Sequence, residues 1–257
     1  MKKTTWLMPA LTVFLSAAQL SATAQDTTKT EKPVKEYKNT FRFNLTNPVI
    51  FGTRSLIFGY ERVVSKHQTF SVNFGQTGFP SLNIIDSDSL KANKVTDQKG
   101  FNFSADYRFY LAKENKYAAP RGVYIGPYYS YNNFEKKHSW SLTSTAGGPL
   151  QTVESTTSLK VNAVGIEAGY QFILWDRLAL DMILSGPGIA VYNLKASLGT
   201  NLSEQDKQKF FEKLNEALED KFPGYSWAID EGEFQTKGSA STTRFGYRCM
   251  IHIGYRF

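Results

Sequence analysis

Cysteine is almost absent from this sequence of 257 residues, since Cys249 is the single example. An internal disulfide is therefore impossible, although an oxidising compartment would permit one. Beyond the amino terminus, the sequence also lacks any apolar run that approaches the ~20 residues needed for a membrane-spanning helix. These absences exclude a disulfide-stabilised scaffold and a helical membrane protein.

Dense clusters of like charge are missing as well. The chain has 30 Lys and Arg against 23 Asp and Glu, and these residues are spread along its length. Nucleic-acid-binding proteins concentrate basic residues in patches, so we expect no nucleic-acid partner and assign the mild basicity to solvation and attraction to anionic lipid. Because no metal-ligand spacing and no phosphate-binding glycine loop is present, we predict neither a metal nor a cofactor.

The amino terminus is typical of an export signal. Two lysines precede an apolar stretch over residues 6–18, and Ala22-Thr23-Ala24 fits the small-x-small rule for signal peptidase. We predict that residues 1–24 are a signal peptide and that residues 25–39, rich in Thr, Lys and Glu, are a flexible periplasmic leader. A short N-terminal anchor is the alternative interpretation.

From residue 40 onward, apolar and polar residues alternate with a period of two, which indicates β-strands with two different faces. In the last such segment, for example, Ile251 and Ile253 alternate with His252 and Gly254. Pro127 predicts a bulge in the fifth segment, and Gly186-Pro187-Gly188 predicts a kink in the seventh. The eight segments are 41–46, 56–61, 70–75, 101–109, 123–131, 159–174, 178–192 and 244–257.

The connections between these segments alternate in length. Those after the second, fourth and sixth segments are short to moderate, whereas those after the third, fifth and seventh are long. Short periplasmic turns and long external loops are typical of outer-membrane barrels with both termini in the periplasm. We therefore predict an all-β fold, a transmembrane antiparallel up-and-down barrel of eight strands over residues 40–257. An extra hairpin within 195–243 would add two strands.

The two faces of the predicted strands have to be assigned to lipid and to the barrel interior. The interior of eight strands is only wide enough for packed side chains, and the Phe-, Tyr-, Leu- and Ile-rich face would overfill it. We therefore predict that the apolar face points at lipid. The charged residues then form an ionic network in the interior, made of Arg42, Glu61, Asp106, Arg108, Glu167, Asp181, Arg248, His252 and Arg256.

Such charges are tolerable in a narrow interior only when they are paired and hydrogen-bonded. We predict that internal salt bridges close the barrel, and the alternative is a gated path for ions. Catalysis finds no support, because His67, His138 and His252 lie in separate segments and no Ser/His/acid spacing is recognisable. We predict no catalytic residues.

The long connection after the seventh segment predicts a short amphipathic helix over Ser203–Lys221. Ser203 and Asp206 match a helix-starting cap, and apolar residues follow at helical spacing. This helix either covers the mouth of the barrel or docks on a partner or on lipopolysaccharide. Its predicted apolar face consists of Phe210, Phe211, Leu214 and Leu218.

The carboxyl terminus resembles the targeting strand of outer-membrane barrels, because Phe257 is terminal and Tyr255, Ile253 and Ile251 alternate behind it. The resemblance implies that Tyr255 and Phe257 form the assembly signal for the barrel-assembly machinery. Residues 40–257 resemble the small eight-stranded barrels of the OmpA transmembrane-domain and OmpX type. Cys249 departs from the pattern, in which a larger apolar residue is usual.

The resemblance implies a location and a fold rather than an activity. We expect a monomer in the outer membrane of a Gram-negative bacterium, in contact with outer-membrane lipid and lipopolysaccharide, with a structural or surface-recognition role. A small pore for ions or apolar solutes is one alternative. A lipid-modifying enzyme is another, because some small outer-membrane barrels act on lipids.

Overall fold

Eight antiparallel strands form a closed barrel in the computed structural model of this protein, and their order around the barrel is their order in the chain. The structure describes residues 37–78, 90–142, 151–198, 204–221 and 238–257. The predicted signal peptide and nearly all of the predicted leader therefore lie outside the described residues. Residues 37–257 form one compact unit.

Strands make up most of the described part of the chain, and two helices interrupt their sequence. The strands are β1 (Asn39–Asn44), β2 (Ile57–Ser65), β3 (Gln68–Gln76), β4 (Leu90–Tyr110), β5 (Gly122–Leu142), β6 (Gln151–Leu174), β7 (Leu178–Leu198) and β8 (Ser239–Arg256). Two helices are described, α1 (Thr46–Phe51) and α2 (Glu204–Lys221). Neither of these helices is both long and apolar enough to cross a membrane.

The barrel closes where its first strand meets its last. β1 pairs with β8 from Thr40 opposite Arg256 to Asn44 opposite His252. The Asn39 N–H donates to the Phe257 carbonyl at 3.2 Å, and the Phe257 N–H donates to the Asn39 carbonyl at 2.9 Å. The predicted all-β, eight-stranded up-and-down barrel is confirmed, and so is the helix in its last long connection.

Helix α1 was not predicted, because all but its first residue fall in the short connection between the first two predicted segments. The Asn47 N–H donates to the Asn44 side-chain oxygen at 2.9 Å, which satisfies one of the free donors of the first turn. Pro48 lies within that turn, where its missing N–H costs no helical hydrogen bond. The helix ends at Gly52, whose φ of 85° favours glycine.

Strands β4, β5 and β6 extend well beyond their predicted limits, into segments interpreted above as external loops. Their extensions carry Ser, Thr and Lys on both faces, so the apolar–polar period fades although the backbones stay paired. The predicted kink at Gly186 is confirmed by a shift of the β7–β8 register between Ile183 and Gly186. The predicted bulge at Pro127 is wrong, because β5 keeps one register with β6 across that residue.

The wall of the barrel is uneven in height. β1 has 6 residues and β2 and β3 have 9 each, whereas β4 has 21 and β6 has 24. β3 pairs with β4 only as far as Gln76 opposite Phe101, and β8 continues beyond His252, its last partner position with β1. Strands β4 to β8 therefore rise above the short strands as a curved sheet.

The distribution of polarity is the reverse of that in a soluble barrel. Large apolar side chains are exposed on the outside, as Phe74 (57 %) and Ile189 (60 %) illustrate. The interior holds buried charges instead, and Arg42 and Glu61 are 1 % and 0 % exposed. Water normally stays in contact with charged groups and drives apolar ones inside, so this barrel is built for apolar surroundings.

Inward-facing glycines make room for interior tyrosines. The Tyr128 hydroxyl donates to the Gly186 carbonyl at 2.9 Å, and its ring lies across Gly165. A Cβ at Gly165 would overlap the Pro187 carbonyl oxygen and would lie 2.8 Å from Cε1 of Tyr128. Position 165 therefore has no space for a side chain.

Gly165→Leu is expected to destabilise the barrel by about 1–3 kcal/mol or more, because it forces both the ring and the β7 backbone to move. The measurement is the urea midpoint of the protein refolded in detergent. Val164→Leu is the matched control, since Val164 is the outward-facing neighbour and is 55 % exposed. Equal midpoints for the two variants would contradict this account of the interior.

Candidate functional site

Seven charged side chains from six strands meet inside the barrel, and we refer to them as the ionic cluster. Each is at most 5 % exposed. Alternation along each strand turns them inward, and nearly all of their outward neighbours are apolar or aromatic, the exposed Arg62 beside Glu61 excepted. The members are three arginines and four carboxylates, namely Arg42, Arg108, Arg248, Glu61, Asp106, Glu167 and Asp181.

Arg108 on β4 is the centre of the ionic cluster. Its Nε lies 2.6 Å from Oδ1 of Asp106 and 3.4 Å from Oε1 of Glu167. Its Nη1 lies 3.0 Å from Oδ2 of Asp181 and 3.6 Å from Oε1 of Glu61. One guanidinium thus faces carboxylates from four strands, which its planar fork of donors suits well.

Asp181 on β7 contacts three donors, namely Arg108, Arg42 and Tyr124. Its Oδ2 lies 3.0 Å from Nη1 of Arg42, and its Oδ1 accepts a 2.7 Å hydrogen bond from the Tyr124 hydroxyl. Arg42 also donates a hydrogen bond from Nη2 to the Oδ1 of Asn73, at 3.0 Å. These contacts join β1, β3, β5 and β7 through side chains, although no two of those strands are neighbours in the barrel.

Arg248 on β8 forms the looser edge of the ionic cluster. Its Nε lies 3.4 Å from Oε2 of Glu167, and its Nη2 lies 3.7 Å from Oδ2 of Asp106. Its guanidinium lies over the Tyr128 ring, 4.9 Å from the centroid. Among the described residues, Nε and Nη2 of Arg248 and both Glu167 oxygens have ionic contacts but no hydrogen-bond partner. This edge therefore depends on charge and ring contact rather than on directed hydrogen bonds.

Neutral polar residues complete the ionic cluster, and the sequence did not identify them as part of a site. Glu61 accepts hydrogen bonds from Thr69 and Gln171, each at 2.9 Å, and Asp106 accepts one from Ser71 at 2.5 Å. The alternation along the strands predicts that these side chains point inward, but it does not predict which residues they contact. Partner choice depends on which strands face each other across the interior, and sequence periodicity does not contain that information.

The two remaining residues of the predicted network take different positions. His252 is buried beside the ionic cluster, with Nδ1 3.4 Å from Oδ2 of Asp181 and Nε2 3.2 Å from the Asn44 amide nitrogen. Arg256 lies at the rim, where it donates to the carbonyls of Tyr37 at 2.8 Å and Asp176 at 3.2 Å. Among the described residues, Arg256 therefore donates to backbone carbonyls rather than to a carboxylate of the ionic cluster, and its membership of the network stays a prediction.

The other predicted site residues lie at opposite ends of the barrel. On α2, Phe210 and Leu214 are buried and Phe211 is half-buried, whereas the side chain of Leu218 lies outside what the structure describes. Tyr255 and Phe257 are exposed on the outer surface, where the Tyr255 hydroxyl accepts a hydrogen bond from Arg177. Of the three histidines, His67 lies between β2 and β3, and the His138 side chain also lies outside the described part.

The arrangement can hold opposite walls of the barrel together, because its ion pairs join strands that are not neighbours. Within the described ranges, no group of three or more His, Cys, Asp or Glu side chains is arranged to hold a metal ion. The donors of the ionic cluster point at its own carboxylates, in a space that eight strands leave only for side chains.

Comparison with known proteins identifies a family and a structurally similar protein. The family described as “Protein of unknown function (DUF3575)” matches residues 27–216. No curated protein matches the chain. Among solved structures, the chain is similar to the crystal structure of a major outer membrane protein from Thermus thermophilus, at 9% sequence identity and a TM-score of 0.33. That similarity covers 87% of this chain and 100% of the other.

Arg108→Met is expected to destabilise the barrel by about 3–5 kcal/mol, because it leaves carboxylates buried without their central cation. The urea midpoint and slope of the refolded protein in detergent measure the change. Arg62→Met is the matched control, since Arg62 is an exposed arginine on β2. Equal losses in the two variants would show that the ionic cluster does not hold the strands together.

Proposed function

We propose that this chain, which belongs to the DUF3575 family, is an outer-membrane β-barrel protein of a Gram-negative bacterium. In this proposal the ionic cluster closes its interior, and its role is structural or recognitive at the cell surface. The single observation that carries the proposal is the reversed polarity of the wall, in which charges are buried and large apolar side chains are exposed. Both termini lie in the periplasm in the proposed orientation.

The exposed apolar surface supports placement in a bilayer. Aromatic and aliphatic side chains face outward from every strand, including Phe41, Phe103, Val164 and Phe245. Soluble monomers rarely expose contiguous apolar patches larger than a few hundred Å², whereas a band around the whole barrel is far larger. Only helices and closed barrels can cross a bilayer with all backbone groups paired, and this sheet is closed.

Strand length and connection pattern agree with this placement. β2 and β3 have 9 residues each, which matches the ~9–11 residues of a tilted membrane-crossing strand. The short connections at 66–67, 111–121 and 175–177 share one end of the barrel with residue 257 and the start of β1. The tall extensions of β4 to β8 lie at the other end, and we propose that this end faces outward from the cell.

Contacts across the interior favour a closed barrel over a pore. Arg42 reaches from β1 to Asp181 on β7, and Arg108 reaches from β4 to Asp181 and to Glu61 on β2. These bonds cross the space through which an ion would move. Catalysis is not part of the proposal: the hydroxyls of Ser71 and Thr69, which donate to Asp106 and Glu61, are fully buried within the ionic cluster.

Membrane assembly predicts a heat-dependent mobility on gels. The unboiled protein from sedimented envelopes is expected to migrate faster than the boiled protein, because a closed barrel resists detergent until it is heated. The Arg108→Met variant is expected to lose the fast form at a lower temperature than the Arg62→Met variant. Recovery of the processed chain as a freely diffusing periplasmic protein would overturn the proposed location.

If the interior is closed, the reconstituted barrel is expected not to conduct ions. Protein that shows the heat shift is expected to give no steady single-channel conductance after reconstitution into planar bilayers. A porin added to the same bilayers is the control for insertion and detection. Regular current steps from the wild-type chain would refute closure by the ionic cluster and favour the small pore instead.

A further inference from the structure

The outer surface of the tall strands changes from apolar to polar within a few residues. Val164 on β6, Ile189 on β7 and Phe245 on β8 lie side by side in the sheet, and each is more than half exposed. We call this row the apolar edge, because it is the upper limit of the apolar surface on these strands. Four positions further up the same strands, the outward-facing residues are Lys160, Asn193 and Ser241.

Two lysines lie on the outer surface just above the apolar edge, and we call them the basic pair. Lys160 on β6 is directly opposite Asn193 on β7, and Lys195 follows two residues further along β7. Both lysines are exposed, and the alternation along each strand turns them outward. Diagonal neighbours on antiparallel strands are about 7–8 Å apart, so two lysine side chains in these positions can contact the same ligand group.

Neutral polar side chains flank the basic pair. Asn133 on β5 and Asn193 on β7 lie on either side of Lys160, and Ser158 is directly opposite Lys195. The Ser241 hydroxyl donates to the Oδ1 of Asn193 at 2.7 Å, which fixes the position of this amide group beside the lysines. The surface around the basic pair therefore offers hydrogen-bonding groups without a negative charge.

The described acids of the same outer surface lie further away. Oδ2 of Asp97 is 3.0 Å from Nζ of Lys99, and Glu135 is directly opposite Lys99, so these charges compensate each other on β4 and β5. Ser158 separates Glu135 from the basic pair, and Glu154 lies higher on β6. The outer surface is therefore positive where β6 and β7 leave the apolar edge.

The height of the basic pair matches that of lipid headgroups. Lys160 is four residues above Val164, a distance of about 13 Å along a strand and about 10 Å in height when the strand is tilted by about 40°. The headgroup layer adds roughly 5–8 Å on each side of the hydrocarbon core. Because lysine has a long flexible stem, its ammonium can reach down into that layer.

The chemistry of the basic pair suits a phosphate group. A phosphate monoester carries about −1.5 to −2 charges at pH 7, which two ammonium groups balance. Its oxygens accept charge-assisted hydrogen bonds from both lysines, and the neighbouring amide and hydroxyl groups can bind a sugar. In the proposed orientation this end of the barrel faces the outer leaflet, where the lipid is a phosphorylated glycolipid.

We propose that the basic pair binds a phosphate group of the outer-leaflet glycolipid, the lipid A part of lipopolysaccharide. The phosphate lies between Lys160 and Lys195, the sugar contacts Asn193 and Ser241, and the acyl chains continue downward over the apolar edge. This inference rests on the proposed function, which places the tall end of the barrel in the outer leaflet. It assigns a lipid partner to one side of the barrel and names the residues that select it.

The test is native mass spectrometry of the full processed chain in a neutral detergent, titrated with bisphosphorylated lipid A. Saturable binding is expected for the wild type. The double variant Lys160→Met/Lys195→Met is expected to bind about tenfold or more weakly, since it loses two charge-assisted contacts. Lys160→Arg/Lys195→Arg is expected to retain most of the affinity. The matched control Lys66→Met/Lys113→Met removes two exposed lysines at the opposite end and is expected to bind like the wild type.

Two further lipids separate the phosphate and the sugar from the acyl chains. Dephosphorylated lipid A is expected to bind weakly and equally to the wild type and to Lys160→Met/Lys195→Met, and phosphatidylglycerol is expected to bind more weakly than lipid A. The inference is overturned by equal lipid A affinities of the two double Met variants, or by either of these lipids binding as tightly as lipid A. A wild type without the heat-dependent gel shift contradicts the proposed function, whereas a shifted barrel that does not bind lipid A contradicts only this inference.

Discussion

The contact between Arg108 and Asp181 joins strands that are not neighbours, and the rest of the interior depends on it. Nη1 and Oδ2 lie 3.0 Å apart, both side chains are at most 1 % exposed, and no bulk water competes for them. In such surroundings an ion pair is strong, but each unpaired charge is very costly. A charge in this interior is therefore tolerable only where another strand places an opposite charge at the same height in the barrel. The register of the strands is thus coupled to the pairing of a few charged side chains.

The same constraint accounts for the glycines and tyrosines of the inner face. An arginine that crosses the interior needs space, and a second row of side chains beneath it would remove that space. Gly169 lies under the Tyr124 hydroxyl, which donates to Asp181, and Gly186 lies close to the Arg248 Cβ. Small residues on β6 and β7 thus let long polar side chains from β5 and β8 lie flat across the interior.

The sequence predicted the parts of this structure that depend on a period of two. The outward-facing and inward-facing residues of each strand follow from alternation, and so do the charges of the ionic cluster. The pairing of Arg42 with Asp181 does not, because it depends on the curvature of the closed sheet. The polar extensions of β5 and β6 were also missed, because backbone pairing holds them and leaves no apolar pattern in the sequence. Helix α1 was missed because a local side-chain cap determines it.

Uneven strand heights divide the barrel into two regions with different chemistry. Where all eight strands are present, the wall is complete and the interior is ionic. Above Gly100, where β3 has ended, the inner face of β4 to β8 carries Phe134 and Leu194. A complete wall excludes bulk solvent, so charges inside it have to pair with each other. Above it, fewer strands can present a partner at the same height, and the buried row there consists of apolar side chains such as Phe134, Leu194 and Ala240 instead of paired charges.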